Sequence, residues 1–177
     1  MHNLLATYNE SDRKHYMMVI AHMANVDEQM TSEEVFVLRE MCTRYVLGPD
    51  ARGEVMGATA MTADDLAPTL ASLADTDLRY SLLLDLWAMA YADGKVVEHE
   101  EQEIRRATES LHITPEHAAA IAAFAKVVHD SHGAGPNSAA RTVEAALEAL
   151  EAAGVPREGL AMSVTLWRNQ PHLLAAI

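Results

Sequence analysis

The sequence contains little of what several classes of protein depend on. It has one cysteine, Cys42, among 177 residues, which excludes an internal disulfide and, as an unpaired thiol, suits a reducing compartment. No apolar run approaches the roughly 18 residues that a membrane-spanning helix needs, and the first residues do not resemble a signal peptide. We therefore expect a soluble, cytoplasmic protein.

Basic residues are also scarce. Lys and Arg number 13 against 26 Asp and Glu, which gives a formal net charge of −13 at pH 7. Nucleic-acid affinity comes largely from neutralising phosphates with Lys and Arg, so this balance argues against a nucleic-acid ligand and against an anionic membrane surface. Cations and basic surfaces of protein partners, including membrane-associated ones, are what this charge favours.

The patterns typical of β-strands are missing, because β-branched residues never alternate with polar ones over the length of a strand. Half of the residues are hydrophobic, whereas only 5% are aromatic. We predict an all-α bundle of about seven to eight helices. With their caps, the predicted helices cover about residues 7–25, 32–45, 62–74, 76–93, 98–111, 114–129, 138–153 and 156–167. Thr7 and Glu10 are predicted to form a capping box at the first helix, while Asp75 is an alternative start for the fourth helix and Asn137 for the seventh. Residues 50–60 are predicted to form a loop with at most one weak turn of helix.

Two acidic helix-loop-helix segments follow one another along the chain. Asp27 and Glu34 in the first correspond to Asp93 and Glu100 in the second, each pair 66 positions apart. Core positions keep their apolar character at the same spacing, so we interpret the two segments as an internal helical-hairpin repeat. The further matching pairs are Ile20 and Leu86, Met23 and Met89, Ala24 and Ala90, Met30 and Val96, Leu38 and Ile104, and Arg39 and Arg105.

The two copies differ where their second helix begins. The first has Thr31-Ser32-Glu33-Glu34, which has the spacing of a capping box. The second has Val97 at the cap position, and a valine side chain cannot accept the hydrogen bond.

The pattern apolar-x-x-Met-Ala-x-x-Asp-Gly-x-apolar-x-x-x-Glu, present twice, resembles the tellurite-resistance TerB family and the related N-terminal domain of DjlA-type membrane co-chaperones. The likeness covers roughly residues 16–121, although Glu28 stands where the family prefers Gly, and Val97 where it prefers Ser or Thr. The resemblance implies an all-helical domain with acidic loops on one surface, a divalent-metal site and a role in tellurite or other chemical stress.

On this basis we divide the chain into two parts. Residues 1–132 are predicted to form a TerB-like helical domain that contains both acidic repeats. Residues 133–177 are predicted to form a C-terminal helical extension packed on the same bundle. No His-Pro-Asp tripeptide is present, so the J-domain activity of a DjlA-type co-chaperone is not expected.

Asp27, Glu34, Asp93 and Glu100 are the predicted metal ligands. If the two hairpins pack about a local two-fold axis, these carboxylates converge on an all-oxygen site suited to Ca²⁺, Mg²⁺ or Mn²⁺. Alternatively, each loop holds its own ion, or the acids only cap the neighbouring helices. A full EF-hand is excluded because ligand positions one and three would be Met89 and Tyr91 in the second copy.

Three functional hypotheses follow. The first is a non-enzymatic TerB-like protein that binds a divalent cation and acts in a stress response through protein partners. The second is an acidic scaffold or assembly protein without metal, whose Ala-rich C-terminal helices form a homodimer. The third is a carboxylate-bridged metalloenzyme built on Glu109-x-x-His112, although such sites use two of these motifs and only one is present.

Overall fold

The structure is a computed structural model, and it describes residues 7–26, 30–92, 96, 98–131, 136–170 and 173. These residues form nine α-helices and two short 3₁₀-helices, Ala58–Ala60 and Arg157–Leu160, with no strand among them. The predicted all-α fold is confirmed. The α-helices are α1 Glu10–Ala24, α2 Ser32–Arg44, α3 Pro49–Gly57, α4 Ala63–Leu73, α5 Leu78–Ala92, α6 Glu98–Ser110, α7 Pro115–Asp130, α8 Pro136–Ala152 and α9 Val164–Asn169.

The chain divides into two compact units. The first contains the described residues up to Leu73, and there α1 packs against α2, α3, α4 and the first 3₁₀-helix. The second contains those from Ala74 on, where α5 packs against α6, α7, α9 and the second 3₁₀-helix, and α7 packs against α8. The boundary predicted at residue 132 divides the family domain from the C-terminal extension. It is a different division from that into these two units, and it stays a prediction.

The start of α1 differs from the prediction. We expected Thr7 to cap this helix through Glu10, but Asn9 is the cap residue, and its Oδ1 accepts a hydrogen bond from the Asp12 amide at 2.8 Å. Asn is among the best N-cap residues. The Glu10 carboxylate accepts instead from the Gly48 amide at 2.7 Å, so it is used to hold the start of α3.

The predicted loop at residues 50–60 is wrong. Helix α3 occupies Pro49–Gly57, and the first 3₁₀-helix follows it directly. Pro49 suits the first helical position because its missing N–H would have no intrahelical partner there. Ala51 and Val55 are buried, and their four-residue spacing forms one narrow stripe along α3, which packs on α1. Ala58 of the first 3₁₀-helix is buried after them.

The predicted helix at residues 156–167 is interrupted. A 3₁₀-helix covers Arg157–Leu160, and α9 begins only at Val164. The break is fixed by Asp85 of α5, a side chain that is 1% exposed. Its carboxylate accepts hydrogen bonds from the Ser163 hydroxyl at 2.7 Å, the Val164 amide at 2.8 Å and the Thr165 amide at 3.0 Å.

Candidate functional site

The helix that follows each acidic loop has the same length and the same ending. Helices α2 and α6 both contain 13 residues. Each is followed by a residue in the left-handed region, Val46 with φ 54° and His112 with φ 51°, and no other described non-glycine residue has a positive φ. Pro49 and Pro115 then open the next helices. All these pairs lie 66 positions apart, which confirms the predicted repeat and extends it into a third helix.

Both helices close with the same hydrogen-bonded turn. The Leu47 amide donates to the Cys42 carbonyl at 3.0 Å, and the matching Ile113 amide donates to the Thr108 carbonyl at 3.2 Å. Val46 and His112 each donate to the carbonyl three residues back, at 3.1 Å in both copies. This is the Schellman arrangement, in which the residue in the left-handed conformation is usually Gly. Leu47 and Ile113 are both buried.

A repeated arginine, which the sequence analysis missed, lies near the start of the first helix of each hairpin. Arg13 is 5% exposed, and its guanidinium donates to the Tyr8 carbonyl and, through Nε, to the Tyr45 carbonyl at 2.8 Å. Arg79 is 66 positions later and repeats the first bond, because its Nη1 donates to the Ala74 carbonyl at 2.7 Å. Its buried Nε has no hydrogen-bond partner. In the sequence, the only signal that identifies this pair is its 66-residue spacing.

In the first hairpin, Glu34 is engaged in capping α2. Its Oε2 accepts hydrogen bonds from the Thr31 amide at 2.6 Å and the Thr31 hydroxyl at 2.8 Å, while the Thr31 hydroxyl oxygen accepts from the Glu34 amide at 3.2 Å. The predicted capping box is therefore confirmed. Nearby, the Asn25 side chain accepts from the Met30 amide at 3.3 Å and donates to the Thr59 carbonyl at 2.9 Å. Asp27 lies outside the described residues.

In the second hairpin, Glu100 is the third residue of α6, as Glu34 is of α2. Its side chain is half-buried, whereas the neighbouring Glu98 and His99 are exposed. The first turn of α6 carries three glutamates, a position where the positive end of the helix dipole favours anions. Asp93 and Val97 lie outside the described residues.

Aromatic rings lie at the end of the helix that leads into the second acidic loop. The Tyr91 ring stacks on Trp87 with centroids 5.8 Å apart, and it lies 5.8 Å from the His129 ring of α7. On the same helix as His129, Lys126 donates to the Asp130 carboxylate at 2.6 Å, which lowers the pKa of Asp130 and raises that of Lys126. The contact between Tyr91 and His129 connects α5 and α7.

Two of the four predicted ligands are described by the structure. These are Glu34 and Glu100, which belong to different units, whereas Asp27 and Asp93 lie outside the described residues. Among the residues that the structure describes, no group of three or more His, Cys, Asp or Glu side chains could hold a metal ion. Coordination by these four carboxylates stays a prediction.

The lone cysteine and the single Glu-x-x-His motif are the remaining residues with potential for chemistry. Cys42 is 1% exposed, and burial raises the pKa of its thiol, which disfavours the nucleophilic thiolate. Glu109 and His112 are exposed at the C-terminal end of α6, with His112 in the turn that closes the helix.

None of the helices in the described ranges is both long enough and apolar enough to cross a membrane. Comparison with known proteins gives one positive result, a match to the family described as "Tellurite resistance protein TerB" over residues 13–123. Searches of curated proteins and of solved structures found no match. The family match includes both acidic hairpins and covers more than half of the chain. The chain therefore belongs to the TerB tellurite-resistance family.

Proposed function

We propose that this protein is a non-enzymatic member of the TerB family that binds a divalent cation at its acidic loops and acts in tellurite or related chemical stress through protein partners. Family membership supports the link to tellurite resistance. The cation and the partners are inferred from the carboxylates and the charge of the chain. Ca²⁺, Mg²⁺ and Mn²⁺ are the ions whose preferred ligands are carboxylate oxygens.

The observation that carries this proposal is the difference in charge between the two repeated helix starts. Glu34 and Glu100 both stand third in their helices, but the first turn of α2 carries two glutamates and that of α6 carries three. The Glu34 carboxylate is also held by Thr31. We therefore assign the stronger cation site to the second hairpin, with Asp93 and Glu100 as ligands, and a weaker site to Asp27 and Glu34 in the first.

Charge near the second hairpin supports the same assignment. Glu98, Glu100 and Glu101 all lie in the first turn of α6, just after Asp93 in the sequence. Like charges so close together favour a cation that neutralises them. The amide dipoles at the start of α6 act in the opposite direction, so direct carboxylate coordination is needed for tight binding.

Calorimetric titration of the metal-stripped chain with Ca²⁺, Mg²⁺ and Mn²⁺ tests the assignment. We expect saturable binding that Asp93→Asn and Glu100→Gln each weaken on the order of tenfold or more, about 1.4 kcal/mol. Glu34→Gln should weaken it less. Glu109→Gln is the matched control, because it makes the same charge change at the exposed far end of the same helix.

Two results would count against the proposal. Equal loss of affinity in Glu109→Gln and Glu100→Gln would mean that only the net charge matters. Absence of saturable binding for all three ions would overturn the cation site and favour the metal-free acidic scaffold. A host lacking the gene, complemented with wild type or with Asp93→Asn and grown on tellurite, would then report whether the resistance phenotype depends on the loop.

A further inference from the structure

One aromatic side chain points away from the core of the first unit. Phe36 on α2 is 61% exposed, and the other large hydrophobic residue that is exposed in the described part, Val46 at 53%, follows the same helix. The buried face of α2 is formed by Leu38, Met41 and Cys42. At 3.6 residues per turn, Phe36 lies about 200° around the helix from Leu38. It cannot enter the core while Leu38 stays there.

The second hairpin shows that the fold does not need apolar residues at these outer positions. Val35, Phe36 and Val37 correspond to Glu101, Gln102 and Glu103 of α6, and Val46 corresponds to His112. In α6 the outer face is covered by ion pairs, from Glu101 to Arg105 at 2.7 Å and from Glu103 to Arg106 at 2.9 Å. The same helix, with the same length and ending, is therefore built with a polar outside.

Charges next to Phe36 indicate what it contacts. Glu33 and Glu40 are exposed one turn before and one turn after it, and helical spacing places both on one flank, about 40–60° from Phe36. Arg39 is exposed on the other flank. An apolar ring beside an acidic flank, on a chain of net charge −13, is complementary to a segment that carries an apolar anchor and Lys or Arg.

A second copy of this chain fits less well. If two α2 helices pack antiparallel with Phe36 at the centre, Glu33 of one copy comes opposite Glu40 of the other, on both sides of the ring. Like charges across an interface oppose binding. The same acidic flank disfavours an anionic membrane surface.

We infer that the outer face of α2, formed by Phe36 with Glu33 and Glu40 on its acidic flank, is a docking site for a basic amphipathic segment of a partner protein. Phe36 is the anchor, because buried aromatic side chains contribute a large share of binding energy at protein interfaces. The site rests on the partner half of the proposed function and is independent of cation binding.

Fluorescence anisotropy tests the docking site with a labelled amphipathic helical peptide of leucine and lysine, at physiological salt and with a chelator present. We expect saturable binding that Phe36→Gln weakens on the order of tenfold or more. Gln is the residue at the matching position of α6, and circular dichroism would verify that the variant is folded. Glu33→Lys should also weaken binding.

Two controls separate this site from the acidic loops. Gln102→Phe places the same ring on α6 between His99 and Arg106, and it should not create a second site. Asp93→Asn should leave peptide binding unchanged, whatever it does to cation binding.

Three results would overturn the inference. These are no saturable peptide binding, equal affinity for wild type and Phe36→Gln, or a dimer in sedimentation equilibrium that Phe36→Gln converts to monomer. The last result would identify a second copy of the chain as the occupant.

Discussion

The two acidic hairpins share their interior and differ on their outside. Leu38 and Leu47 in the first are buried, as are the matching Ile104 and Ile113 in the second. Both closing turns have a left-handed residue at the same position and the same hydrogen bonds. At matching positions, residues 35–37 are Val-Phe-Val in one helix and residues 101–103 are Glu-Gln-Glu in the other. Because both helices have the same length and the same ending, the residues outside the core are free to differ.

The first helices of the two hairpins differ in another way. Val19 in α1 is an ordinary buried core residue, whereas Asp85, its counterpart 66 positions later, is a buried acid that caps α9. The first unit contains no counterpart of that cap, because its chain ends with α4 at Leu73. One position of the repeat thus serves packing in one copy and polar anchoring in the other.

The largest effect is expected when Asp85 is replaced by the residue of the first hairpin. Asp85→Val leaves the Ser163 hydroxyl and the amides of Val164 and Thr165 without their acceptor. We expect the free energy of unfolding to fall by about 3 kcal/mol or more. Urea unfolding followed by tryptophan fluorescence measures this, since Trp87 and Trp167 both belong to the second unit.

Asp85→Asn is the graded control for that experiment. It keeps one acceptor oxygen and nearly the same volume, so we expect a smaller loss of stability than in Asp85→Val. A valine variant as stable as wild type would show that the buried carboxylate does not anchor α9.

Substituting either of the two repeated arginines should lower the free energy of unfolding by less than Asp85→Val does. Arg13→Met removes donors from the carbonyls of Tyr8 and Tyr45, and we expect it to cost about 2 kcal/mol. Arg79→Met should cost less, because it also removes the buried Nε that has no hydrogen-bond partner, and its second bond, from Nη2 to the Tyr80 hydroxyl at 3.1 Å, reaches only the adjacent residue. Thermal unfolding followed by circular dichroism compares the pair, and the opposite order would contradict the hydrogen-bond assignment.

The residues at the cap position of α2 and α6 can be exchanged between the two hairpins. Thr31→Val gives the first copy the residue of the second and removes the capping box, at a cost of about 1 kcal/mol. The reciprocal Val97→Thr should stabilise the second copy by a similar or smaller amount. Amide hydrogen exchange in the first turns of α2 and α6 would locate each effect, and unchanged protection at α2 in Thr31→Val would contradict it.

The smallest expected effect concerns pH. Burial, followed by the nearby Lys14 charge, lowers the pKa of His15 from its ordinary value of 6.5. The unfolded chain then binds more protons than the folded chain at pH values between the lowered pKa and 6.5, so stability is complete above about pH 6.5 and falls as the pH decreases through that window. The counterpart in the second unit is Ser81, which does not titrate.

His15→Gln should therefore flatten the dependence of unfolding on pH just below 6.5. Urea midpoints measured across that range by circular dichroism check this. His99→Gln, at an exposed histidine, is the matched control for the loss of one imidazole. If His15→Gln keeps the pH dependence of the urea midpoint, that dependence belongs to another group.

Much of this architecture could be predicted because the signals are local. Thr31 and Thr114 cap their helices as their spacing indicated, since an N-cap bond involves residues only three apart. Helix α3 was missed because its buried stripe consists only of Ala51 and Val55, two positions that carry little hydrophobic periodicity. The candidate ligands were identified from the repeat, and their coordination is the part that titration must decide.

By itself, the sequence determined the helical class, the repeat, the acidic positions and the family, because each of these is written in spacings of a few residues or in one constant offset. Only the tertiary structure decided that Asp85 anchors a helix beginning 79 residues later, that Arg13 holds Tyr45 from 32 positions away, and that Phe36 faces outward while Leu38 and Met41 of the same helix enter the core. A side chain's partner across such distances depends on how helices pack, and no local pattern encodes that.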